Sequence, residues 1–366
     1  MYHPDLELEL CAMRFATLTC IPLLLSLALS NPELGTAQTL VVANKSDDTV
    51  DLLDLKNGES VATLPTGHAP HEIAVSPDGE LAVISNYGDR ESPGSTLTLI
   101  DLVNASVVRT IDLGSHTRPH GLAWFGDTRV AVTTEGSAHL LVVDVGNGRV
   151  VQAVETGQDV SHMVTVTPDG KRAFVANIGS GNVTAVDLSA GKKLADIVTG
   201  EGAEGITVTP DGTEVWVGNR AADTLSVIDP ATLQVIATVP CPGFPIRVAI
   251  TPDGQRLMVS AARSGEVVLF DPVKRQELMR TKLDLSNAPD ASRRLFGDRF
   301  GDSPVPVGLV IGPQNDIAWI AATQADAVVV VEPAGLRVLD LLRAGHEPDG
   351  MAFSPKSAQA THRPSE

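Results

Sequence analysis

Cysteine is scarce: the 366-residue chain has three, and two of them, Cys11 and Cys20, lie in its first segment. The third, Cys241, cannot form an internal disulfide alone, so the body of the protein must be held by packing. Set between Pro240 and Pro242, it reads as a buried small residue rather than a reactive thiol. Aromatic residues are only 4% of the chain, which leaves core formation to aliphatic and β-branched side chains. Basic residues are also in deficit, with 27 Lys and Arg against 45 Asp and Glu and a net charge of −18. That balance argues against a protein that follows a phosphate backbone, and no nucleic-acid partner is expected. The chain has no phosphate-cradling glycine loop, no Gly-x-Ser-x-Gly elbow and no Cys-x-x-Cys pair. Turn formers, by contrast, abound: 32 Gly and 24 Pro accompany a globular 43% of hydrophobic residues.

Long apolar runs are missing except at the start. Phe15 to Leu29 is an apolar stretch of 15 residues behind Arg14, followed by small residues at Gly35-Thr36-Ala37. It is short for a membrane span and well sized for a signal-peptide core, so residues 1–37 are expected to be a signal peptide and the protein periplasmic or secreted. The acidic segment Met1 to Cys11 is unusual in such a signal, which makes Met13 an alternative start. Cys20 falls inside the apolar run and does not suit a lipid anchor. No membrane span is expected in the remainder.

The body of the chain is a repeat. One anchor is a turn, Ser76-Pro77-Asp78-Gly79, recurring at Thr167–Gly170, Thr209–Gly212 and Thr251–Gly254, with degenerate copies at Phe125-Gly126-Asp127, Gly312–Asn315 and Ser354-Pro355-Lys356. Proline presets the first corner and Asp-Gly tolerates a positive φ at the second, which specifies a tight hairpin turn. An independent anchor is an alternating β-branched run ending in an acid, at Asp54, Asp101, Asp144, Asp187, Asp229, Asp271 and Glu332. The spacings are 47, 43, 43, 42, 42 and 61 residues. Each unit has room for four short strands, here a to d; in one of them a is Met163–Thr167, b Ala173–Asn177, c Val183–Asp187 and d Lys193–Val198. Four-strand units at this period specify an all-β, seven-bladed β-propeller over residues 38–355. Phe174, Trp216, Met258 and Trp319 share one strand-b position and are expected to pack between blades. The chain opens with strands b, c and d and ends with strand a at Met351–Ser354, so the ring is expected to close by pairing N-terminal strands b–d with the C-terminal strand a. Residues 356–366 are expected to form a disordered tail.

The strand-b forms LVVAN, FVAN and WVGN, the SPDG and TPDG turns and the following VID-like strand resemble the YVTN-type seven-bladed propeller family. The resemblance covers nearly all of residues 39–355. It implies an exported propeller and is neutral about activity. Relatives include binding proteins, lactonase-like enzymes, an antibiotic lyase, and parts of nitrous oxide reductase and amine dehydrogenases, and a shared fold does not choose among them.

Strand a of a propeller lines the central channel, so the residue opening each strand a faces one channel mouth. In order these are His71, His120, His162, Glu204, Ile246, Val307 and Asp349. Three imidazoles at equivalent positions suit a divalent transition metal (Cu, Zn, Fe or Ni) held by His71, His120 and His162. Glu204 and Asp349 are then candidates for a catalytic base. A metal-free site for a polar ligand, or a ring of solvated polar residues, remains open on the sequence alone. His68, His116 and His346 lie three or four residues upstream in the same d-to-a connections. Two insertions open at the same end, one at Tyr87–Ser95 and a longer one at 284–304 carrying Arg293, Arg294, Phe296, Arg299 and Phe300. With Arg247, these form a candidate clamp for a small polar or anionic ligand. The expected function is a monomeric exported binding protein with a histidine-rich mouth, open to a protein partner on that face. The alternative is a metal-dependent hydrolase, lyase or oxidoreductase using the same three histidines.

Overall fold

A computed structural model describes residues 38–285 and 297–359. The expected signal segment therefore lies outside the described residues, as do residues 286–296 of the long insertion and 360–366 of the tail. Among the described residues, no helix is long and apolar enough to cross a membrane.

The architecture is a ring of seven four-stranded antiparallel sheets. Blade 1 joins Thr39–Asn44, Thr49–Asp54 and Glu59–Pro65 to the last strand, Pro348–Ser354, which pairs Thr39 with Ser354 and Val42 with Met351. Blades 2 to 7 follow in order, their a strands being Pro70–Val75, Pro119–Phe125, Ser161–Val166, Ala203–Val208, Pro245–Ile250 and Pro306–Ile311. Each blade interface has its own apolar core. Between blades 2 and 3, for example, Val83, Leu97 and Leu99 meet Val130, Val132 and Leu141. Phe174, Trp216, Met258 and Trp319 lie in four different interfaces, as their shared sequence position implies. The outermost strands alternate exposed and half-buried residues, as a sheet with one wet face must.

The anchors of the repeat have local roles. The turn Gly79 adopts φ 76° and donates to the Ser76 carbonyl at 2.8 Å, while the Ser76 hydroxyl donates to Asp78. The strand-c acids accept backbone N–H groups of the next turn: Asp101 from Asn104, Asp144 from Asn147 and Asp229 from Ala231. The strand-b asparagines tie adjacent strands together, Asn177 Nδ2 donating to Asn182 and Thr184 while its Oδ1 accepts from Ser161. Cys241 is fully buried, and burial pushes its thiol up to about 12.

Three details depart from the sequence expectation. The insertion at Tyr87–Ser95 largely extends the hairpin, giving strands Leu81–Gly88 and Pro93–Asp101 with Gly88 paired to Pro93. Residues 356–359, placed in a disordered tail, are held: Ala358 is buried and donates to Thr39 Oγ1, and Gln359 donates to the Val103 carbonyl. Strand a begins earlier than its apolar run, because its first residues are bulged, with register breaking between Ser161 and Val164 and between Pro70 and Ile73.

The a strands crowd round the axis closely enough that several need glycine. A Cβ on Gly350 would lie 2.1 Å from the His71 carbonyl oxygen and 2.7 Å from Glu72 Cα, and one on Gly308 would lie 2.0 Å from the Asp349 carbonyl oxygen. These contacts are with the backbone of the next blade, which cannot swing aside. Gly350→Ala is expected to destabilise the ring by about 1–3 kcal/mol, read as a lowered urea midpoint at unchanged slope. A midpoint equal to that of the parent would mean that the blades slide freely.

Candidate metal and ligand site at the channel mouth

One backbone device aims every strand-a opener. The residue just before strand a has a left-handed φ in all seven blades, from 50° at Ala69 to 74° at Gly202. Six of the seven are not glycine, so the conformation is strained and must be imposed from outside. The constraint is visible: its carbonyl accepts the N–H of the residue after strand b, as in Tyr87 to Ala69 at 3.1 Å, Glu135 to Arg118 at 3.0 Å and Arg220 to Gly202 at 3.0 Å. The ends of strands a and b are thereby clamped together at the mouth.

The openers converge as the repeat alignment requires. The His71 and His120 rings lie 4.9 Å apart and the His120 and His162 rings 3.6 Å apart, each pair crossing a blade boundary. His162 Nε2 reaches Glu204 Oε1 at 3.2 Å. Asp349 is buried on the other side of His71, in blade 1. Ile246 and Val307, the two apolar openers, instead form a small hydrophobic cluster with Ala262 and Val305, so the mouth is polar on one side and apolar on the other.

Four participants sit at positions not read from the sequence. Glu135 follows strand b of blade 3, and Tyr87 holds the equivalent place within the extended strand b of blade 2; His162 Nδ1 meets Glu135 Oε1 at 2.5 Å, and the Tyr87 hydroxyl donates to Glu135 Oε2 at 2.5 Å. Arg220, at the equivalent place in blade 5, pairs with Glu204. Glu72, next to His71, pairs with Arg247. The signal was partial: the corresponding position in each blade reads Lys45, Tyr87, Glu135, Ile178, Arg220, Ala262 and Thr323 round the ring, polar in the blades of His71 and His120 but isoleucine in the blade of His162.

His120, Glu135 and His162 each offer a ligand atom, all within 4.8 Å of one another. The compact donor set thus exchanges the expected His71 for Glu135. His71 stays beside it but donates Nδ1–H to the Ala69 carbonyl at 2.9 Å, which leaves Nε2 as its basic nitrogen. Burial drives the pKa of both His71 and His120 well below the usual imidazole value, aided by Lys45 for the first and His162 for the second. His162 goes the other way: burial opposes its charge, but the bonds to Glu135 and Glu204 prevail and raise it to about 9. Burial pushes the Tyr87 phenol up to about 12, with help from the Glu135 charge. Three buried atoms at the mouth make no hydrogen bond: His120 Nδ1, Asp349 Oδ1, which lies 3.9 Å from the Arg247 guanidinium, and Glu204 Oε2, which faces Arg220 in an ion pair.

Glu204, a candidate base, is engaged. Burial favours its neutral form, yet His162, Arg220 and Arg247 together hold its pKa below the usual carboxylate range. Arg247 is buried and spans the channel, pairing with Glu72 and approaching Glu204 at 3.4 Å and Asp349 at 3.9 Å. It closes a charge network instead of offering an open anion clamp. Of the insertion residues, Arg293, Arg294 and Phe296 lie outside the described residues. Arg299 is exposed in a short 3-10 turn, Gly297–Phe300, and Phe300 packs on Phe244 with ring centroids 5.2 Å apart. His68, His116 and His346 stay on the rim, bonded to Asp48 and Asp89, to Ser137 and to Asp47 respectively.

These pKa directions give stability two opposed pH limbs. His71 and His120 are held neutral when folded, so the unfolded chain binds more protons below about 6.5 and stability falls with falling pH. His162 is raised, so its contribution is complete below about 6.5 and is lost as pH rises through about 9. Urea midpoints measured from pH 5 to 10 should therefore decline at both ends. His162→Gln is expected to flatten the alkaline limb and His120→Gln the acid one; limbs unchanged by both substitutions would contradict the assignment.

Fold and mouth together define a seven-bladed β-propeller with a buried histidine–carboxylate cluster at one end of its channel. A YNCE-like beta-propeller family model matches residues 125–291 and, with the seven blades, supports the YVTN-type propeller family for this chain. No curated protein sequence matches it. Solved structures share the fold at low identity. Hydrazine synthase of Kuenenia stuttgartiensis aligns with a TM-score of 0.64 and 20% identity over 77% of this chain and 88% of its own. A functionally unknown protein from Desulfotomaculum acetoxidans DSM 771 aligns at 0.72 and 14% identity over 87% of this chain and 100% of its own. The dihydro-heme d1 dehydrogenase NirN, solved in complex with DHE, aligns at 0.61 and 17% identity over 86% and 74%.

Proposed function

We propose that this protein is an exported binding propeller whose channel mouth takes up a divalent transition metal on His120, Glu135 and His162. The observation that carries the reading is the approach of these three donors to within 4.8 Å, brought from two neighbouring blades. The unpartnered Nδ1 of buried His120 supports it, since a buried polar atom without a partner is costly unless something binds there. Two nitrogens and a carboxylate oxygen suit Zn, Cu, Ni or Fe. Tyr87 would orient Glu135 from behind, and Glu204 would do the same for His162, as outer partners of metal ligands commonly do. A bound metal would supply an electrophilic centre for an oxygen of a small polar ligand. Asp349, whose Oδ1 makes no hydrogen bond, and His71, through Nε2, stand ready to accept a proton-bearing group of that ligand.

Binding is favoured over catalysis because Glu204 is saturated by its partners. Elemental analysis of untagged protein, with titration of the metal-stripped protein by Zn, Cu, Ni and Fe salts, tests the site. Stoichiometric metal is expected in the parent and should be lost in His120→Ala and His162→Ala. Failure of every metal to bind the parent, or full retention by both variants, refutes the proposal.

A further inference from the structure

Away from the mouth, a second pair of histidines meets on the rim. His116 lies in the connection from blade 2 to blade 3, and His139 opens strand c of blade 3 at His139–Asp144. Their rings are 4.8 Å apart and inclined at 63°. Both are anchored on Ser137: His139 Nδ1 contacts its backbone carbonyl at 2.5 Å and His116 Nδ1 contacts its hydroxyl at 3.1 Å.

Proton bookkeeping assigns both tautomers. A carbonyl only accepts, so His139 carries its proton on Nδ1. The Thr134 hydroxyl donates to the His139 carbonyl at 3.2 Å, so in the Thr134–Ser137 contact at 2.8 Å it is Ser137 that donates. The Ser137 oxygen is then left to accept from His116 Nδ1–H. Each ring thus presents its Nε2 lone pair, and neither Nε2 has a hydrogen-bond partner among the described residues. Burial, and then His139, lower the pKa of His116, so it is neutral at pH 7.

We propose that His116 and His139 form a second metal site, independent of the mouth, for an imidazole-seeking divalent cation such as Ni(II), Cu(II) or Zn(II). Both rings are already held through Nδ1 by Ser137, so little side-chain freedom remains to be lost when Nε2 binds. The metal would join the blade 2 connection to blade 3 and stabilise the fold by linkage.

The experiment is Ni(II) and Cu(II) titration of the full mature chain by calorimetry, with melting temperature and the Cu(II) electron-paramagnetic spectrum as second readouts. In His162→Ala, one equivalent is expected to bind, to raise the melting temperature and to show two nitrogen donors. His116→Ala and His139→Ala should each weaken that equivalent by about tenfold or more, as expected when one arm of a two-point attachment is removed. Should the mouth not bind metal, the parent will bind this equivalent alone, still sensitive to His139→Ala, so the two proposals fail separately. Binding unaffected by either rim substitution, a single-nitrogen copper spectrum, or no binding to folded His162→Ala and parent alike overturns the rim site.

Discussion

Replacing Arg247 with methionine is expected to cost about 3–5 kcal/mol of folding stability, the penalty for removing one partner from a buried charge network. Methionine keeps the unbranched aliphatic stem and removes the guanidinium with its charge and donors. Glu72, Glu204 and Asp349, brought from blades 2, 5 and 1, would then face one another in a site where all three are buried. The loss should shrink at lower pH, because burial already raises the pKa of Glu72 and a proton can substitute for the guanidinium there. Adding Glu72→Gln to Arg247→Met should recover part of the deficit. Urea denaturation at pH 7.5 and 5.5 measures both effects. A loss under about 1 kcal/mol, the ceiling for an ordinary exposed ion pair, would show that the network contributes little.

Metal affinity should separate Glu135 from His71. If the compact trio is the ligand set, Glu135→Gln removes an anionic donor and should weaken binding by about 10–100-fold. His71→Ala should change it far less, since the trio within 4.8 Å does not include His71. Competition against a chelator of known affinity gives both values on one scale. A large loss in His71→Ala with little change in Glu135→Gln would restore the three-histidine set suggested by the repeat alignment. The comparison is clean because both residues lie at the same mouth, so a general loss of folding would lower both together, and circular dichroism would reveal it.

The fold was legible because its determinants are local and repeated. A Ser/Thr-Pro-Asp-Gly turn specifies its own hairpin, and a β-branched run ending in aspartate specifies both a strand and the turn after it. Seven copies then leave one closed arrangement that buries both faces of every sheet. The openers of strand a were legible for the same reason, since equivalent positions in a ring converge on its axis.

Glu135, Tyr87, Arg220 and Glu72 were not read in advance because nothing local marks them. Glu135, Tyr87 and Arg220 are held at the mouth by the left-handed residue before strand a, whose carbonyl accepts their N–H groups, while Glu72 meets Arg247 only across the channel. The role of Arg247 was also hidden. Its sequence position places it at the mouth, but only the narrowness of the channel brings Glu72, 175 residues away in the chain, within reach of its guanidinium. His116 shows the converse: its spacing grouped it with His120, while the bend of the connection turned it outward to His139.

Periodicity and turn chemistry were therefore enough to establish seven blades and the arc of histidines, because both follow from residue identity at repeating positions. Which imidazole is charged, which carboxylate is spoken for and which donors stand close enough to share an ion depended on packing across blades. Those properties arise from distances of a few ångströms between segments remote in the chain, and a one-dimensional pattern carries no record of them.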